Sequence, residues 1–256
     1  MSSKRFVIII IVLLILAAIA ISIIMTVDED IGDFNIKYVG NSKKYETFIK
    51  QGVNRWSSIG VGGVYVEFRV DNLSKGIVAS TLGNTVTISE TAFNNISSVL
   101  KVTTIAHEVG HVLGIGGWNT VIGVDILIQG TQLYLSNTKY PKTTQAYIEN
   151  VRPTSITLPG APVESEKGLG TGSYAVHWEN NPTHGMQRDL MTYKITNISN
   201  IISIVDLTYL KEIGRKVDLS QSQSLKTALS SIIGEYIFEE EVSPYSCGAC
   251  TNCSSD

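Results

Sequence analysis

Apolar and polar residues alternate at Phe34, Ile36 and Tyr38 and again at Val64, Val66, Phe68 and Val70, the period of two that marks strands with one buried face. Between them Tyr45, Phe48, Ile49, Val53 and Trp56 recur every three to four residues and predict a helix with one apolar stripe. Short strands are expected near 77–80 and 85–89, followed by a second helical stripe of Val102, Ile105, Val109 and Val112. Ser97 or Ser98 can cap that helix and Gly114 can end it. Strand, helix, strands, helix predicts an α+β domain of packed layers. Residues 118–176 read as an irregular insertion with a helix near 143–151, a length that is improbable in a compact domain unless it is functional. A helix is expected around 207–213, and a last one on the stripe Leu225, Ala228, Leu229, Ile232, Ile233, Tyr236 and Ile237.

The N-terminus has a different pattern. Residues 6–25 are uncharged and mainly aliphatic, and as a helix at ~1.5 Å per residue they span roughly 30 Å, the hydrocarbon thickness of a bilayer. Lys4 and Arg5 precede the run, and Asp28, Glu29 and Asp30 follow it. The positive-inside rule then orients a single-pass membrane protein with its N-terminus cytosolic and everything after the run extracytoplasmic. Ala18-Ile19-Ala20 resembles a signal-peptidase site, so a secreted, cleaved form is the alternative; the apolar run continues past it, which favours an anchor. The expected organisation is a stub and anchor over 1–27, one catalytic domain over 28–240 that begins with a short stalk at 28–33, and a cysteine-containing tail over 241–256.

Composition narrows the functional classes. About 220 residues remain outside the anchor, enough for one domain with its own core. A net charge of −3 provides no basis for nucleic-acid binding. The 3 cysteines, Cys247, Cys250 and Cys253, form a CxxCxxC in the tail, so no disulfide staples the core. That tail reads as a disordered end, with thiolate metal binding and an intermolecular disulfide as alternatives. Sequons at Asn72, Asn95, Asn197 and Asn252 would be glycosylated only in a eukaryotic secretory pathway. Nothing in the sequence sets an oligomeric state.

The chemistry concentrates in His107-Glu108-Val109-Gly110-His111. Histidines at i and i+4 share a helical face one turn apart, so their ring nitrogens can converge on one Zn2+ ion, while Glu108 can take a proton from a water in the open fourth position. Two imidazoles do not hold a catalytic zinc, and the position three residues past Gly114, where a compact motif would place the third histidine, is Gly117. The remaining candidates are His177, flanked by Ala175, Val176 and Trp178; His184, in the turn-rich Asn-Pro-Thr-His-Gly; and Glu149, in a short helical segment.

The run HEVGHVLGIG, followed downstream by GSYAVHWEN and DLMTY, resembles the leishmanolysin-like branch of the metzincin proteases, in which a long insertion precedes the third histidine. LPGAPVESEKGLGTGS and IVDLTYLKEIG are similar to that family's approach to this histidine and its closing helix. The resemblance covers roughly residues 34–216. It implies a metzincin-like fold with a mixed sheet, a zinc-binding active-site helix and a Met-turn. His177 would be the third ligand, Met191 the methionine under the metal and Glu108 the general base of an endopeptidase acting on protein or peptide substrates. No counterpart of the family's large cysteine-bonded C-terminal region and pro-segment is expected here. Tyr193, two residues after Met191, resembles the metal-proximal tyrosine of astacins and serralysins, which implies an oxyanion-stabilising role. The reading from another class is a noncatalytic ectodomain that keeps the scaffold for adhesion or assembly; retention of Glu108 argues against it, because a closed structural site needs no base.

Overall fold

The computed structural model describes residues 27–31, 34–74, 76–151, 158–166, 174–180, 184–195, 200–221 and 246–249. The apolar run 6–25, the expected helix at 225–237, Cys250 and Cys253 lie outside the described residues. Among the described residues no helix is long and apolar enough to cross a membrane.

The architecture is α+β with a mixed sheet. Strands β1 (Val27–Ile31), β2 (Phe34–Val39), β3 (Tyr65–Asp71), β4 (Ile77–Leu82), β5 (Thr85–Ser89) and β9 (Ser246–Ala249) form one sheet in the order β1-β2-β3-β5-β4-β9. β2, β3 and β5 run parallel, whereas β4 turns back antiparallel to β5 and therefore lies outside it. The turn is the two-residue Gly83-Asn84, and Gly83 has φ +58°. Phe34, Ile36, Tyr38, Val66, Phe68, Val86 and Ile88 are fully buried on the sheet's covered face, as their alternation predicts.

Helix α1 (Glu46–Ser57) follows a 3-10 turn, and a short α2 (Glu90–Asn94) leads to α3 (Ser98–Leu113). The expected cap of α3 is made by Ser97, whose hydroxyl accepts the Leu100 amide, and the helix ends at Gly114 with φ +119°. α1 packs directly on α3. A Cβ on Gly52 would overlap the Ile105 side chain, so glycine lets the two backbones approach. The Trp56 indole then donates to the Ala106 carbonyl at 2.7 Å.

Three expectations are corrected. The described residues within 118–176 are not an irregular insertion: β6 (Ile126–Gln129), β7 (Gln132–Ser136) and β8 (Gly160–Val163) form an antiparallel sheet, and the helix expected near 143–151 is α4 (Pro141–Asn150) beside it. The missed signal is a two-residue Gly130-Thr131 turn between Leu127, Ile128 and Leu133, Leu135, with Gly130 at φ +65°. The stalk expected at 28–33 includes β1, paired antiparallel with β2. The tail, expected to be disordered, contributes β9, which pairs in parallel with β4. Main-chain pairing with an open sheet edge requires no hydrophobic pattern, so neither terminal strand was legible from periodicity.

Helix α5 (Ile204–Glu212) carries a capping box in which Ser203 accepts the Val205 and Asp206 amides and Asp206 accepts the Ser203 amide. A buried aromatic group of Trp118, Tyr140, Trp178 and Tyr209 joins α5 to the β6–β8 layer.

Candidate metal centre

Two ligand candidates come from one helix and the third from a segment clamped on both sides. His107 and His111 lie one turn apart on α3. His177 precedes Trp178, whose backbone bridges Val163 at the end of β8 on one side and Thr192 on the other. The Glu164 amide donates to the His177 carbonyl at 2.8 Å, and the Trp178 amide to the Met191 carbonyl at 3.0 Å. Ala175, two residues before His177, is the one non-glycine residue with positive φ among the described residues, at +60°. Its amide donates to Glu164, and its carbonyl accepts the Trp118 indole, which holds this unfavourable conformation.

The three Nε2 atoms meet at 3.1 Å (His107 to His177), 3.0 Å (His111 to His107) and 3.2 Å (His111 to His177). His107 Nδ1 lies 2.6 Å from the Leu190 carbonyl, and His111 Nδ1 lies 2.8 Å from the Ile115 carbonyl. A carbonyl only accepts, so each Nδ1 carries the proton and each of these Nε2 atoms presents a lone pair. Lone pairs facing one another at 3 Å repel unless a cation lies between them. The separations are close to the ~3.3 Å edge of a tetrahedron with metal–nitrogen bonds of about 2.0–2.1 Å. The three imidazoles thus fit a metal ion, and among the described residues they are the one group of potential ligands that does. His184 and Glu149 fall outside it: the His184 carbonyl accepts the Tyr147 hydroxyl, and exposed Glu149 accepts the Gln145 amide.

Burial holds both helix histidines neutral. It pushes His107 down to about 3, with His111 adding to the effect, and pushes His111 down to about 4, both from an ordinary value of 6.5. In the metal-free protein the unfolded chain takes up protons below pH 6.5 that the folded chain refuses, so stability is full above that value and falls as pH drops toward the folded values. The expected loss is roughly 1.4 kcal/mol per pH unit for each residue. Thermal melts of metal-stripped protein between about pH 7 and pH 5 should record it, and a melting temperature independent of pH in that window would contradict it.

Glu108 is fully buried, and its Oε2 accepts the Thr81 hydroxyl at 2.6 Å. Thr81 belongs to β4, so the sheet edge orients the carboxylate. Sequence reasoning missed this residue, and no local signal marks it, because the contact joins two elements only in the folded chain.

Beneath the imidazoles, Met191 is fully buried. A Cβ on Gly110, between the two helix histidines, would overlap its sulfur. Asp189 accepts the Met191 amide at 2.7 Å and shapes this turn. Asp206 accepts the Trp178 indole at 2.8 Å. Burial raises both carboxyls, Asp189 well above the usual range and Asp206 to about 6, and the Asp206 charge raises Asp189 further.

Gly116 is a second close approach in the centre. It has φ +81°, and a Cβ there would overlap the Val176 carbonyl and crowd His111. Gly116→Ala is expected to cost at least about 2 kcal/mol, from the left-handed conformation and the overlap together, and to weaken metal binding by spreading His111 and His177. Urea denaturation and metal titration check this; unchanged values for both would refute the packing argument.

Tyr193 is half-buried, beside the Asn180 side chain and facing Glu164, Glu166 and Glu179. Burial foremost, then the Glu164 and Glu166 charges, raises its phenol, which therefore stays protonated. Burial also pushes Glu164 up to about 7, assisted by Glu179.

No family model, curated protein or solved structure matches this chain.

Proposed function

We propose that the chain is a zinc-dependent endopeptidase of the leishmanolysin-like metzincin type. The observation that carries this reading is the meeting of three imidazole Nε2 atoms at 3.0 to 3.2 Å. Glu108 beside two of them and Met191 beneath them agree with it, as does a mixed sheet packed on the histidine helix. A zinc ion held by His107, His111 and His177 would supply Lewis-acid polarisation of a peptide carbonyl and would acidify a water molecule. Glu108 takes the proton of the attacking water as the C–O bond forms. It then passes that proton to the leaving amine as the C–N bond breaks, which restores the carboxylate. Thr81 keeps the carboxylate aimed through its hydroxyl. Tyr193, protonated, donates to the oxyanion of the tetrahedral state.

The substrates are proteins or peptides, and residues 6–25 anchor the domain in a membrane with the catalytic part extracytoplasmic. Elemental analysis of the purified full chain tests the metal half of the reading. One zinc per chain is expected, and a chain that takes up no zinc overturns it. Tyr193→Phe is expected to lower kcat by about 10 to 100-fold with little change in KM, because the hydroxyl acts mainly in the transition state. Steady-state kinetics on one peptide decides this, and an unchanged kcat returns Tyr193 to packing.

A further inference from the structure

We propose that the chain's own C-terminal strand, Ser246–Ala249, which docks on the outer edge of β4, competes there with extended peptide substrates. The competition rests on the endopeptidase reading, whereas the docking stands apart from it. β4 is joined to β5 on one side, and on its other side its row of main-chain donors and acceptors meets β9. Adding a strand to such an edge is a general mode of peptide recognition, in which main-chain hydrogen bonds provide affinity for many sequences.

The edge also runs past the candidate base. Thr81, the β4 residue whose hydroxyl meets the Glu108 carboxylate at 2.6 Å, is the register partner of Ala249. Ser80 pairs with Gly248 and Ile77 with Ser246, and β9 also lies against α3, the helix that carries His107, Glu108 and His111. A peptide whose scissile bond reaches Glu108 while its backbone pairs with β4 would need the positions that β9 holds. The tethered strand competes at an effective concentration on the order of millimolar, so it opposes peptides that bind more weakly than that.

The test uses the full chain with Cys247→Pro and Gly248→Pro together. Successive residues of a strand point their amides to opposite sides, so the two prolines remove the N–H facing β4 whichever residue carries it. Amide hydrogen exchange of residues 77–82 is the first readout, and the variant should exchange at least about tenfold faster there while α3 stays protected. Peptide cleavage is the second. The variant should show KM lowered about fivefold or more with kcat little changed, and a synthetic peptide of residues 241–256 should inhibit it competitively. Unchanged exchange at 77–82 would overturn the docking. Faster exchange with unchanged KM would overturn the competition. Faster exchange with no cleavage by either chain would support the docking and count against the endopeptidase reading instead. Loss of α3 protection in the proline variant would signal unfolding; the unmodified chain then carries the test, because added 241–256 peptide must leave its KM unaffected while its tail is docked and raise it once the tail is cut away by a protease.

Discussion

Glu108→Gln is expected to lower kcat/KM for peptide cleavage by about 10²–10⁴-fold while leaving zinc content and fold unchanged. The substitution is close to isosteric. Its amide oxygen can still accept the Thr81 hydroxyl that meets Glu108 Oε2 at 2.6 Å, so the side chain keeps its place against β4. What disappears is the ability to hold a proton between the attacking water and the leaving amine. Because that transfer occurs only in the transition state, the loss should fall on kcat rather than KM. Steady-state kinetics beside elemental analysis and circular dichroism separates this result from unfolding. Full activity in Glu108→Gln would remove the carboxylate from the mechanism.

His177→Ala is expected to abolish tight zinc binding, whereas His184→Ala should leave it intact. His177 Nε2 lies 3.1 Å from His107 and 3.2 Å from His111, so it closes the triangle of ring nitrogens that a cation would bridge. With it gone, two ligands remain, and the loss of affinity should exceed the 10–100-fold typical of removing a residue that merely supports a ligand. The metal-free variant should keep its fold near neutral pH, since His107 and His111 are neutral there and the segment is held by the Glu164 and Trp178 amides. Zinc titration against a competing chelator measures both variants. Loss on His184→Ala with retention on His177→Ala would reverse the assignment.

Much of this centre was legible because its parts follow local rules. The i, i+4 histidines, the Ser97 cap and the Gly114 stop lie on one helix, where period and capping act over a few residues. The strands at Phe34–Val39, Tyr65–Asp71 and Thr85–Ser89 show plain alternation because one face of each is buried. His177 lies 66 residues beyond His111, and no periodicity links the two; the family resemblance singled it out, and the fold brings it to the same point. The β6–β8 sheet was missed because its strands are short and its apolar residues lie on both faces, leaving only the Gly130-Thr131 turn as a signal. Thr81 and Asp206 act through contacts between distant elements, which no local pattern records.

The central claim is that this chain cuts internal peptide bonds with a zinc ion. The most direct measurement is digestion of a broad peptide library by the purified full chain, read by mass spectrometry with the protein as isolated, stripped by chelator and reloaded with zinc. Internal cleavage that disappears on stripping, returns with zinc and is absent from Glu108→Gln at every step is the predicted result. A chain carrying one zinc per molecule that cleaves no peptide in the library would contradict it and favour a noncatalytic scaffold.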